Sequence, residues 1–319
     1  MKKIFCLMLT AFFALALFAG CQSSSVPVIG ISQFGEHGSL DNCREGFVQG
    51  LKDAGLKEGV DFVIDYQNAG FSPDTAAQIA QSFAAKKVAL MCGIATPSAQ
   101  TCFNEGAETN IPTIFVAVTD PVGAKLNSGN VTGTSDALPV EGQLKLIRAL
   151  QPEAKTVGVI YSLGEDNSLS SIKEYERLVA QYGFTLNAVA VSAQAEVTQA
   201  VDKLIADGVD CLSNLTDNTV VGVLPAILEK TNQAGIPVYG SEIEQVNKGC
   251  IAGAGIDYIA LGKQTGQMAA KILKGETTAE ALPFETISEY GLYVNSTAAQ
   301  ALNIAVPSEI AAAATECGA

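Results

Sequence analysis

The chain of 319 residues has no tryptophan, a single histidine, His37, and only 19 lysines and arginines against 33 aspartates and glutamates. Each shortage excludes something. One histidine builds neither a catalytic dyad nor a histidine-rich metal cluster. With no nucleophile elbow and no P-loop in the sequence, no enzyme chemistry, catalytic residue, metal or cofactor is expected. A net charge of −14 without basic clusters argues against nucleic acid as a partner and against binding to anionic headgroups. No pair among the eight cysteines has the Cys-x-x-Cys spacing, so the common redox and zinc motifs are missing. Beyond the N-terminus no apolar run reaches the roughly 20 residues a spanning helix needs.

What is present begins at the N-terminus. Lys2 and Lys3 precede an apolar run from Ile4 to Phe18, which closes in small residues. This reads as a signal peptide over residues 1–20. The stretch Leu17-Phe18-Ala19-Gly20-Cys21 resembles a bacterial lipobox, which implies a diacylated Cys21 as the mature N-terminus. Residues 21–26 would follow as a serine-rich tether. Two acyl chains give stable anchoring where one is marginal. The expected place is therefore outside the cytoplasm, held to the outer face of the cell membrane. The six remaining thiols, Cys43, Cys92, Cys102, Cys211, Cys250 and Cys317, fall mostly in apolar runs and are expected to be free and buried.

From residue 28 short β-branched runs alternate with helical periods, the pattern of a parallel sheet flanked by helices. The order then repeats. Ile29-Gly30-Ile31 corresponds to Val157-Gly158-Val159, Thr96-Pro97-Ser98 to Thr216-Asp217-Asn218, and Ile111-Pro112 to Ile236-Pro237. The expected fold class is α/β, with two Rossmann-like lobes and a hinged cleft. Residues 27–135 plus 251–280 would form lobe one, and 136–250 plus 281–319 lobe two, giving three crossings.

Ligands of open α/β sheets sit beyond the carboxyl ends of the strands, so the repeat nominates paired loops. Thr96-Pro97-Ser98 is either a well-capped helix start or a seat for a carboxylate. Asp217 either caps its helix or meets a ligand cation, and Asn218 and Glu242 lie with it in lobe two. Phe34, Glu36 and His37 occupy the first strand-to-helix loop; Phe34, like Tyr161, either stacks on a ligand or packs on its own lobe. Asp120 with Pro121 suits a strand-ending turn, and Thr119 beside it is the better ligand contact. Asp257, following the returning strand near the expected hinge, either holds a closed state or caps a helix. Hydroxyls in lobe one facing acids in lobe two suit a zwitterion: Thr96, Ser98 and Thr119 would take a carboxylate, Asp217 and Glu242 an ammonium. On that assignment Asp217→Ala abolishes amino-acid binding without unfolding the protein.

The runs Gln33-Phe34, Glu36-His37, Ile94-Ala95-Thr96-Pro97, Val118-Thr119-Asp120-Pro121-Val122-Gly123, Thr216-Asp217-Asn218-Thr219 and Gly255-Ile256-Asp257-Tyr258 carry a resemblance to a known family. The chain resembles the ABC transporter substrate-binding proteins that include the TrpX-like, tryptophan- and tyrosine-binding lipoproteins. The resemblance implies a type I periplasmic-binding-protein fold, a monomer that closes on a small solute such as an aromatic amino acid, and delivery to an ABC permease with its ATPase. A ligand-presenting sensor or a surface adhesin would use the same fold.

Overall fold

The computed structural model describes residues 26–287 and 289–318; the signal segment and Cys21 lie outside them. The chain opens with β1 (Val28–Gln33), α1 (Gly38–Asp53), β2 (Val63–Asn68), α2 (Pro73–Lys86), β3 (Leu90–Ile94), α3 (Thr96–Thr109), β4 (Thr113–Val116) and β5 (Val131–Ser135). Local chemistry sets the boundaries. Ser72 accepts from Thr75 N at 3.2 Å with Pro73 opening α2, and left-handed Lys87 ends that helix. The second half runs α4 (Val140–Leu150), β6 (Thr156–Ser162), α5 (Asp166–Leu178), β7 (Thr185–Val191), α6 (Gln194–Ala206), β8 (Cys211–Ser213), α7 (Asn218–Val221), α8 (Leu224–Gln233), β9 (Val238–Gly240), α9 (Ile243–Asn247) and β10 (Ala252–Gly255). It ends with α10 (Tyr258–Leu273), β11 (Glu285–Thr286), β12 (Gly291–Val294), α11 (Ser296–Ala301), α12 (Ser308–Ala313) and β13 (Thr315–Glu316).

Two sheets result, in the orders β11-β5-β4-β3-β1-β2 and β13-β12-β10-β9-β8-β6-β7. Every pairing is parallel except β10 with β12. Helices cover both faces of each, so the central strands β3 and β4 are buried along their whole length. The expected two-lobed α/β architecture is what forms, and all six described cysteines are free and buried.

The lobe boundaries differ from the sequence expectation. Residues 252–255 were assigned to lobe one, yet β10 joins the second sheet between β9 and β12. The return to lobe one comes only at α10, which lies against α1. β11 then pairs with β5, so residues 285–286 extend the first sheet rather than the second. The physical reason lies in the helix crossing. A Cβ on Gly46 would stand 2.3 Å from Ile259 O, one on Gly50 2.1 Å from Lys263 O, one on Gly262 2.3 Å from Cys43 O, and one on Gly266 2.1 Å from Phe47 O. Four glycines at helical spacing let the two backbones touch, which no side-chain-bearing residue allows.

That crossing predicts the cost of a methyl. Gly262→Ala forces α10 off α1 and should remove about 1–3 kcal/mol of stability, read as a lower urea midpoint with an unchanged slope. An unchanged midpoint would mean the contact is looser than described.

Candidate functional site

The carboxyl ends of both sheets face each other, and the loops beyond them meet across the lobes. Thr119 Oγ1 lies 3.3 Å from Thr216 Oγ1, His37 Nε2 3.1 Å from Asn218 Oδ1, Ser170 Oγ donates to Asp120 Oδ2 at 2.7 Å, and Gln100 Nε2 donates to Asp166 Oδ2 at 2.7 Å. Ser39 Oγ lies 2.6 Å from Glu242 Oε2 and 2.9 Å from Glu244 Oε2, and Asn42 Nδ2 donates to Glu244 Oε1.

Asp136, Glu165, Asp217 and Glu242 are buried, whereas no lysine or arginine is buried among the described residues. A buried carboxylate without a cation must be held by hydrogen bonds or it is strongly disfavoured. Two of the four are fully occupied within lobe two. Asp217 caps α7 through Val220 N at 2.9 Å and accepts from Ser162 N at 2.6 Å, Ser162 Oγ at 2.9 Å and Ser168 Oγ at 2.7 Å. Glu165 takes Thr219 N and Oγ1 on one oxygen, and Asn218 N, Asn218 Nδ2 and Asn167 Nδ2 on the other. Burial and the neighbouring Glu165 charge hold the Asp217 carboxyl above the usual range.

The other two lie near each other where the lobes meet. Asp136, just past the end of β5, accepts from Tyr258 OH and Thr119 Oγ1, both at 3.0 Å. Burial pushes its carboxyl up to about 7; the two hydroxyl bonds oppose that shift and Glu242 adds to it. Glu242, at the start of α9, is tied across the lobes by Ser39. No ion pair among the described residues involves either side chain.

In lobe one α3 also reaches lobe two, through Gln100 and Asp166. Its first residue, Thr96, is 1% exposed, and its Oγ1 has no hydrogen-bond partner within the protein. Ser32 Oγ donates to Ser98 Oγ at 3.1 Å beside it. Ala95, which precedes the helix, sits at φ 73 and ψ 155 and offers no side-chain cap. Such a conformation is nearly exclusive to glycine and costs on the order of 1–3 kcal/mol. It turns the chain sharply from β3 so that α3 begins facing lobe two. His37 Nδ1, Asn214 Nδ2 and Asn167 Oδ1 are likewise buried without partners. At the outer lip Phe34, Phe71 and Pro73 of lobe one meet Glu165, Gln194 and Thr219 of lobe two around a cavity of about 230 Å³. Phe71 stands edge-on to Phe34 at 6.2 Å and parallel to His37 at 6.5 Å.

Among the residues singled out from sequence, Phe34, His37, Thr96, Ser98, Thr119, Asn218 and Glu242 are brought to this region. Glu36 is exposed, with no side-chain partner. Tyr161 packs on the lobe-two core, Asp257 caps α10 through Ile259 N and Ala260 N, and Asp217 is used up inside its lobe. Asp136, Glu165, Ser39, Phe71 and Tyr258 were not singled out. Ser39 and Glu165 follow the carboxyl ends of β1 and β6, where the strand-end rule puts ligand sites, and Asp136 obeys the same rule after β5.

For Asp217→Ala the structure predicts a folding defect rather than a pure binding defect. Four buried donors lose their acceptor, so stability should fall by about 2–4 kcal/mol, read by denaturant unfolding. A variant as stable as the parent but unable to bind any solute would instead make Asp217 a ligand contact.

The model of the family described as ABC transporter substrate binding protein matches residues 28–317. A protein named tyrosine-binding protein, from Clostridioides difficile strain R20291, is 35% identical over 95% of this chain and 93% of its own length. A solved domain from Streptococcus pneumonia in complex with L-Trp is 32% identical, with a TM-score of 0.88 over 92% of this chain and 100% of that one. A ligand-free, open substrate binding protein with adhesive properties from Clostridium difficile is 36% identical over 91% of this chain and 99% of its own, yet its TM-score is 0.67. The higher score against the ligand-bound structure, at lower identity, accords with lobes that touch here. By its two-lobed fold and the match across nearly its whole length, this chain belongs to the ABC transporter substrate-binding protein family.

Proposed function

We propose that this chain binds a free aromatic amino acid between its lobes, on the outer side of the cell membrane, and hands it to the permease and ATPase of an importer. The observation that carries the reading is the set of buried carboxylates, without buried cations among the described residues, together with a buried unpartnered hydroxyl at a helix start. Asp136 and Glu242 receive the ammonium. Thr96 Oγ1, with Ser98 and the positive end of α3, receives the carboxylate, since an anion is favoured at a helix N-terminus. Thr119 keeps Asp136 oriented and His37 keeps Asn218 oriented. The aromatic side chain suits the apolar lip made by Phe34, Phe71 and Pro73. The tyrosine-binding relative and the relative in complex with L-Trp support the same solute class. Asp217, Tyr161, Glu36 and Asp257 have no part in the contact.

Diacylation of Cys21 would keep the trap beside its permease. Adhesion is a second reading, favoured only by the relative with adhesive properties. Solute-blind variants that still adhere would separate the two activities.

Titration calorimetry with L-tyrosine, L-phenylalanine and L-tryptophan tests the site. Asp136→Asn and Glu242→Gln should each weaken binding by about 30-fold or more, equivalent to about 2 kcal/mol, because each removes half of a buried charge pair. Unchanged affinity in both variants would overturn the assignment. Cys21→Ser should move the protein from the membrane fraction to the soluble one; retention at the membrane would dismiss the lipid anchor.

A further inference from the structure

Ser39 of α1 stands between two carboxylates of the opposite lobe, 2.6 Å from Glu242 Oε2 and 2.9 Å from Glu244 Oε2. A hydroxyl carries one proton and donates once. Two ionised carboxylates cannot both be satisfied by it at these distances, because the second contact would set lone pair against lone pair. The arrangement is satisfied when Ser39 donates to Glu242 and a protonated Glu244 donates to Ser39 Oγ. The other Glu244 oxygen is then free to accept from Asn42 Nδ2, as it does. Gly38, at the start of α1, makes room for the contact; a Cβ there would stand 2.8 Å from Glu244 Cγ.

We propose that closing the two lobes takes up a proton from solvent onto Glu244, so that closure is coupled to external pH through the Ser39, Glu242 and Glu244 bridge. In the open state α1 and α9 separate, and the Glu244 carboxyl is hydrated and already ionised at neutral pH. The proton leaves a hydronium ion or buffer acid of the solvent, whose O–H bond breaks as the Glu244 O–H forms; no other covalent bond changes.

The surroundings favour this direction. Burial raises the Glu244 carboxyl above its usual range and the adjacent Glu242 raises it further. The groups that face it from the elements packed around it are acidic or neutral: Asp136 and Tyr258 close to Glu242, Cys43 on α1, Tyr293 on β12, and Cys317 after β13; on its own helix Lys248 lies one turn on, its backbone N–H bonded to Glu244 O. No ion pair among the described residues brings a lysine or arginine to Glu244. An acid whose pKa is higher in the closed state favours closure fully below its open-state value, about 4.3 for glutamate. That advantage is lost as pH rises through the closed-state value.

The inference needs no particular solute, so its test uses the ligand-free, lipid-free protein. Small-angle X-ray scattering from about pH 8 down to about pH 4, close to the ordinary glutamate value, should show the radius of gyration shrinking as the closed population grows. Glu244→Gln, whose amide donates to Ser39 and whose carbonyl accepts from Asn42 without a proton, should lose most of that pH response and stay closed at the higher pH. Glu244→Ala should be open throughout. A wild-type profile that ignores pH, or a Glu244→Gln profile that responds as fully as the wild type, overturns the proposal. Failure of L-tyrosine to bind would bear on the proposed solute and leave this result standing.

Discussion

The arrangement depends on one electrostatic constraint: carboxylates are buried between and beneath the two lobes, and among the described residues no cationic side chain is buried with them. Each must be answered by hydrogen bonds or by something the protein does not itself contribute. Glu165 and Asp217 are answered by amides and hydroxyls of lobe two, and in being answered they lock the start of α7 to the end of β6 and the loop before α5. Asp136 and Glu242 have fewer local donors and look into the interlobe space. That division separates the acids that build the lobe from those that the proposed reading gives to the solute.

The hinge is wired to the same acids. Asp136 lies in the first crossing, just past β5, and Tyr258 opens α10 at the second. Their hydrogen bond of 3.0 Å links two of the three crossings at the point where Glu242 raises the Asp136 carboxyl. Beyond the hinge, the glycine contact between α1 and α10 makes the second crossing part of lobe one. A solute that neutralises Asp136 therefore acts on the group that joins two of the crossing strands, and the Ser39 bridge acts on the far side of α1.

Much of this was legible in the sequence, and the misses have physical causes. The internal repeat gave the lobes and paired their loops, because β-branched runs alternating with helical stripes are a strong pattern. Thr96 was found because Pro97 marks a helix start. The run Ala252–Gly255 was placed in the wrong lobe because four small residues carry no periodicity, and only strand pairing reveals that β9 and β12 flank them. Asp217 and Asp257 were ambiguous for the reason that makes Asp a good cap: the same side chain serves its own helix or a ligand, and spacing does not say which. Glu165 left no signal of its own, since its five donors lie in residues more than fifty positions later or two positions away.

The central claim is that the solute's ammonium answers the carboxylates of the cleft. Calorimetry comparing L-tyrosine with 3-(4-hydroxyphenyl)propionate, which keeps the ring and the carboxylate but lacks the amino group, addresses it most directly. The account predicts binding of L-tyrosine and a loss of about 100-fold or more for the analogue, since its carboxylate would enter an acidic cleft with no cation to offset it. Equal affinity for the two compounds would contradict it.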